Sequence, residues 1–205
     1  MLIIGLTGGS GCGKSIVSRA FEALGAFSVD ADAVYHTIVS NPSACTKELS
    51  EAFGEDVLTP SGALDRPALA AKVFCGGEEE KKKLSLLNEI THKHVLDDIR
   101  ISLKEAEKAG KNVAVVDAPL LFESGFHKEC LLTVAVLSPF SLRLSRIMER
   151  DSLTEYKAKA RLNAQQTDDF YREQADFILI NDGTVDDLLA KATLFWNENI
   201  VKNQK

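Results

Sequence analysis

Gly8-Gly9-Ser10-Gly11-Cys12-Gly13-Lys14-Ser15 fits the pattern G-x-x-x-x-G-K-[ST], and its flanks are those a phosphate-binding loop requires. On the N-terminal side, Leu2 to Thr7 is a short apolar run that reads as a buried parallel strand. On the C-terminal side a helix is expected from about Lys14, because Val17, Ala20, Phe21 and Leu24 recur at i, i+3, i+4, i+7. Gly25 is its natural stop. Glycines at 8, 9, 11 and 13 let the backbone close around an anion with its N–H groups inward. The helix that follows adds its positive end. Lys14 is then placed to reach the β- and γ-phosphates, and the Ser15 hydroxyl to ligate Mg²⁺. The ligand implied is a nucleoside triphosphate; the loop alone leaves the reaction open.

Working outward, the chain alternates strands and helices. Ala26 to Val29 reads as a second strand ending at Asp30, Asn112 to Val116 as a third, Leu132 to Leu137 as a fourth and Phe177 to Ile180 as a fifth. Asn181-Asp182-Gly183 is a turn, and a last helix is expected over about Val185 to Asn199. Between Ala31 and Gly110 the pattern is mostly helical, with one long or two successive amphipathic helices through Leu84, Leu87, Ile90, Val95, Ile99 and Leu103. Strands alternating with helices predict an α/β P-loop NTPase fold, a five-stranded parallel sheet flanked by helices. The expected division is a core of about 1–30, 112–140 and 171–205, an inserted helical substrate-binding segment of about 31–111, and a lid of about 141–170. Ligands of such sheets bind at the carboxyl ends of the strands, where Thr7, Asp30 and Asp117 fall.

Composition narrows the partners. A formal net charge of −6 argues against a general nucleic-acid binder, so an anionic ligand must meet locally clustered cations. The four cysteines form no CxxC pair, which argues against a zinc site or disulfide framework and for a reducing, cytoplasmic setting. The N-terminal apolar run is short and lacks a basic flank, so no signal peptide is expected, and no stretch is long enough to span a membrane. Cys12 invites two readings, a redox-sensitive thiol at a helix N-terminus or, the favoured one, a small residue tolerated in the loop.

GTPase elements (N-K-x-D, D-x-x-G) and a transporter-type LSGGQ element are absent, which leaves small-molecule kinases. A nucleotide-binding switch without kinase activity is the alternative from another class. A kinase needs a carboxylate near the acceptor hydroxyl and arginines over the transferring group. Asp30 and Asp32 supply the first, on one side of the chain if it stays extended; either is also a candidate helix cap. Arg143, Arg146 and Arg150 recur at i, i+3, i+7, with Arg161 after a turn, and read as a lid closing on phosphates. The competing reading pairs them with Glu149 and Glu155 on a solvated face. Asp117 ends an apolar strand, as the Mg²⁺-supporting carboxylate of P-loop folds does. His92 and His94, two apart on a helix, make no metal pair.

Taken together these elements resemble the dephospho-CoA kinase family over nearly the whole chain. The resemblance rests on Leu6-Thr7-Gly8-Gly9 leading into the loop, Val29-Asp30-Ala31-Asp32, Gly62-Ala63-Leu64-Asp65-Arg66, Leu87-Asn88-x-Ile90-x-His92, and above all Pro119-Leu120-Leu121-Phe122-Glu123. Arg146-x-x-x-Arg150-Asp151, Arg161 with Gln165, and Ala175-Asp176 through Asn181-x-Gly183 follow in order. The chain departs from the family pattern at Ile16, usually Thr or Ser, and at Lys93, usually proline. The resemblance implies transfer of the γ-phosphoryl group of ATP, with Mg²⁺, to the ribose 3′-hydroxyl of dephospho-CoA, by a monomer or small homo-oligomer. It implies Asp32 as general base, with Lys14 and Arg146 catalytic. It implies ATP contacts from Gly9, Gly11, Cys12, Gly13, Lys14, Ser15, Ile16 and Arg150. Acceptor contacts are implied for Thr7, Asp32, His92, Pro119, Leu120, Phe122 and Arg161, and metal support for Ser15 and Asp117. A nucleoside monophosphate or shikimate-type kinase is the nearest competing enzyme.

Overall fold

The structure, a computed structural model, describes residues 1–202. The expected core thus loses its last three positions, 203–205, which lie outside the described residues. In chain order the elements are β1 (Leu2–Thr7), α1 (Lys14–Ala23), β2 (Phe27–Asp30), α2 (Ala31–Ser40), α3 (Ala44–Phe53), α4 (Arg66–Val73), α5 (Gly77–Lys108), β3 (Val113–Asp117), β4 (Leu132–Leu137), α6 (Phe140–Asp151), α7 (Glu155–Asn163), α8 (Asp168–Gln174), β5 (Phe177–Ile180) and α9 (Val185–Trp196). The five strands form one parallel sheet in the order β2-β3-β1-β4-β5. In the register of β1 with β3, Leu6 lies opposite Asp117, so the ends of two neighbouring strands carry Thr7 and Asp117 side by side.

The chain divides into two compact units, residues 1–29 with 106–205, and residues 30–105. In the first, strand alternation fills two separate layers. Val134 and Val136 of β4, with Ile4 and Leu6 of β1, pack under α1 and α9. Ala135 and Leu137, between them in sequence, face the other way onto Phe122 and Tyr171. This is the period-2 consequence of a strand buried on both faces. The α1–α9 seam is aromatic: the Phe21 ring lies 5.7 Å from Phe195 and 5.5 Å from Trp196. Residues 141–170, expected as a lid, fall within this unit. There α6 and α7 share a small core of Ile147, Ala158 and Leu162, with Leu144 and Met148 against it.

The second unit is helical and has its own core, including Ile38, Val39, Leu49, Phe53, Leu69, Val73 and Ile90. Its helices start where the sequence supplies caps. The Asp30 carboxylate accepts the Asp32 and Ala33 amides at 2.9 and 3.1 Å, and Asp65 accepts that of Ala68 at 3.0 Å. Ser43 and Thr46 form a capping box at α3. The long helix is single: α5 runs 32 residues, about 48 Å. It continues through Lys93, where the family pattern has proline, and Lys93 and His94 both reach Glu48 of α3, at 3.0 and 2.7 Å. Gly110 (φ 83°) closes it, its amide donating to Glu107 and that of Lys111 to Ala106.

Candidate active site

The loop between β1 and α1 is shaped by what grips its outer side. Three successive carbonyls, those of Ser10, Gly11 and Cys12, accept side-chain N–H groups from two parts of the chain, α6 and the residue that follows β5. Arg143 Nε donates to Ser10 at 3.0 Å, Arg146 Nη1 to Gly11 at 3.1 Å, and Asn181 Nδ2 to Cys12 at 2.8 Å. Gln165 completes the grip, accepting the Ser10 amide at 3.0 Å and donating to its hydroxyl at 3.0 Å. With these carbonyls bonded to side chains, and the Cys12 amide bonded to the Gly9 carbonyl at 3.2 Å, the loop is held in one shape. No side chain caps the start of α1 at Gly13, whose carbonyl takes the Ile16 amide at 3.0 Å, and the positive end of the helix suits an anion. Two glycines are required by this grip. A Cβ on Gly9 would overlap the Arg143 guanidinium, and one on Gly13 (φ 98°) would overlap the Asn181 amide.

Lys14 Nζ donates to the Asp117 carboxylate, with side-chain exposures of 17% and 8%. The strand-end aspartate thus holds the loop lysine at the carboxyl end of β3. Thr7, fully buried, donates its hydroxyl to the Pro119 carbonyl at 3.3 Å and ties β1 to the segment after β3. Ser15 is exposed at the second position of α1. A hydroxyl and a carboxylate are hard oxygen donors, and so few protein ligands suit Mg²⁺, which keeps waters and takes the rest of its shell from substrate phosphates. Among the described residues no cluster of three metal-binding side chains offers a different, protein-only metal centre.

The arginine row divides by function. Arg143 is buried, with Nη2 2.8 Å from Gln165 Oε1 and Nη1 3.4 Å from Asp168. Arg146 also donates to Ser138 at 3.0 Å. Both therefore buttress the phosphate loop. Arg150 and Arg161 instead share Asp151, at 2.7 and 2.6 Å, and the hydrogen bond from Arg150, then the charges of both, holds that carboxyl below the usual range. The partner is thus Asp151, where sequence reading offered Glu149 and Glu155; Glu155 pairs with Lys159 at 2.6 Å.

Other expectations shift on inspection. The chain turns helical at Ala31, so strand alternation does not relate Asp30 to Asp32. Asp30 is the cap, and Asp32 is exposed in the first turn of α2. Within Pro119 to Phe122, Leu120 is 48% exposed, whereas Phe122 is buried among His127, Phe170 and Tyr171. His92 lies part-buried on α5 in the helical unit. Ile16 packs against the core under α1. Arg143, Gln165 and Asn181 were missed as loop-holding residues: Gln165 and Asn181 stood only as family matches, and no local pattern connects them to the loop.

Cys12 is not a reactive thiol. It is buried in the α1 layer, and burial raises its pKa, offset in part by the hydrogen bond from the Lys14 amide. Burial also pushes the Cys130 thiol up to about 12. In the native protein a thiol reagent at neutral pH is expected to modify the exposed Cys75 rapidly and Cys12 only after denaturation. Rapid native labelling of Cys12, read by peptide mass mapping, would contradict its placement.

The dephospho-CoA kinase family model matches residues 2–187. The chain belongs to the dephospho-CoA kinase family. It is 42% identical over 193 residues to a dephospho-CoA kinase of Corynebacterium glutamicum, spanning 94% of each chain. The dephospho-CoA kinase structure from Campylobacter jejuni is similar with a TM-score of 0.70 at 28% identity, over 98% of each chain. A shikimate kinase from Acinetobacter baumannii, at a TM-score of 0.53 and 20% identity over 98% and 96%, shares the fold alone. Members of the family catalyse the last step of coenzyme A biosynthesis, and this chain is a phosphotransferase of that class.

Proposed function

We propose that the chain binds Mg-ATP on the loop from Gly8 to Ser15 and transfers the γ-phosphoryl group to the ribose 3′-hydroxyl of dephospho-CoA, with Asp32 taking the hydroxyl proton. The observation that carries the phosphate half is the capture of the Ser10, Gly11 and Cys12 carbonyls by side chains, which fixes the loop ahead of the start of α1, where Lys14 stands. Such a site acts by positioning and by charge compensation as the phosphoryl group passes between oxygens. Lys14 leans toward the transferring group from its Asp117 support. Ser15 and Asp117 would hold Mg²⁺, which would supply charge neutralisation at the phosphate oxygens.

The acceptor half rests on the division of labour at the start of α2. Asp30 is committed to two backbone amides, while Asp32 carries a solvent-facing carboxylate. Leu120 and His92 supply acceptor contacts, and Arg150 and Arg161, both exposed, close over nucleotide and acceptor. The four cysteines are free, in line with a cytoplasmic setting. Among the described residues no helix is long and apolar enough to cross a membrane.

The direct test is a coupled ADP-release assay over a panel of acceptors with and without Mg²⁺. Dephospho-CoA is expected to be turned over in preference to AMP, CMP and shikimate, and only with the metal present. Preference for any of those three would overturn the acceptor assignment. Arg143→Ala tests the loop grip. Losing charge-assisted hydrogen bonds to Ser10 and Gln165 is expected to raise KM for ATP by ~10-fold, with KM for dephospho-CoA within about two-fold. Equal changes in both constants would show that Arg143 does not act through the nucleotide loop.

A further inference from the structure

The helical unit contains a cation that is oriented and, among the described residues, has no carboxylate within ion-pair distance. Arg66 opens α4, directly after the Asp65 cap. Its Nη2 lies 2.6 Å from His36 Nδ1, and its guanidinium carbon lies 5.6 Å from the centre of the Tyr35 ring. A guanidinium only donates, so Nδ1 of His36 accepts and the neutral ring carries its proton on Nε2. Tyr35 offers the face that attracts a cation. The adjacent carboxylate, Asp65, is occupied with the Ala68 amide. Among the described residues no carboxylate comes within ion-pair distance of Arg66.

Arg66 is exposed, and one nitrogen and one face are held by neutral groups. The remaining N–H groups of a rigid fork keep their full charge and a fixed direction, an arrangement suited to a phosphate oxygen pair. The holding residues lie on α2 at positions 35 and 36, three and four after Asp32, so they share a helix face with that carboxylate.

We infer that Arg66, oriented by His36 and Tyr35, binds the diphosphate of the acceptor. In dephospho-CoA the diphosphate is attached at the 5′-carbon of the ribose whose 3′-hydroxyl accepts the phosphoryl group. Gripping it on the helix face that carries Asp32 fixes which hydroxyl is presented to the base. The inference deepens the acceptor assignment and rests on it. It also assigns a selectivity: an acceptor without the diphosphate gains nothing from Arg66.

Arg66→Gln and Arg66→Lys test this in the full-length enzyme. Steady-state kinetics give KM for dephospho-CoA and for ATP, and adenosine, which lacks phosphate, serves as a competitive inhibitor against dephospho-CoA. Arg66→Gln is expected to raise KM for dephospho-CoA ~10–100-fold, the loss of charge-assisted hydrogen bonds. KM for ATP and Ki for adenosine stay within about two-fold, and Arg66→Lys falls between wild type and Gln. His36→Ala loosens the fork and shows a smaller rise, which His36→Gln, keeping an acceptor atom, restores in part. An unchanged KM for dephospho-CoA, or an equal rise in Ki for adenosine, overturns the inference. A thermal melt of each variant within a few degrees of wild type keeps these readings from reflecting lost folding. Failure of the wild-type enzyme to use dephospho-CoA would instead overturn the acceptor assignment, whatever Arg66 does.

Discussion

Lys14→Ala is expected to lower turnover by ~10²–10³-fold or more, the loss that follows from removing a charge aimed at a transferring group. The structure adds a second consequence. Lys14 is paired with Asp117, whose side chain is only 8% exposed, so the variant removes a charge partner from a nearly buried carboxylate. Breaking such a pair costs ~3 kcal/mol or more. Loss of activity alone would therefore be ambiguous, and the variant should be read by thermal melting beside its kinetics. Lys14→Ala with Asp117→Asn removes both charges and is expected to recover much of the melting temperature while staying inactive. Turnover near wild type in either protein would mean the lysine does not act on the phosphates.

Asp32→Asn is expected to slow turnover by ~10²–10⁴-fold while ATP still binds, because an amide cannot take the hydroxyl proton. Asp30→Asn is the matched comparison. It removes the same charge two positions away, but asparagine caps a helix about as well as aspartate, so the Asp32 and Ala33 amides keep their acceptor. Its turnover is expected within a few-fold of wild type. Equal losses from both would assign the effect to local charge and remove Asp32 from the proton transfer. Nucleotide binding, followed by a fluorescent ATP analogue, separates either outcome from damage to the loop.

Much of this was legible from residues alone, and the reasons are local. β4 and β5 occupy the spans their apolar runs mark, and α1 begins at Lys14 as the periodicity requires. The second and third strands each lie one residue further along than expected, at Phe27–Asp30 and Val113–Asp117, within the range over which strand ends vary. Where reading failed, it assumed a local geometry that a neighbouring interaction changed. Asp30 and Asp32 were related by strand alternation, yet the Asp30 cap starts a helix between them. The arginines at 143, 146 and 150 were one helix face, yet they serve two purposes, because the loop carbonyls take the first two and Asp151 takes the third.

The order of strand, glycine loop and helix determined that this chain folds around a phosphate-binding turn, since apolar periodicity and glycine's freedom are properties of a few consecutive residues. The tertiary structure alone decided what holds that turn open. Its carbonyls and amides are met by Arg143, Gln165 and Asn181, which stand 133, 155 and 169 positions away from their partners. A backbone group must be hydrogen-bonded wherever it ends up, but which side chain does so depends on where the folded chain returns.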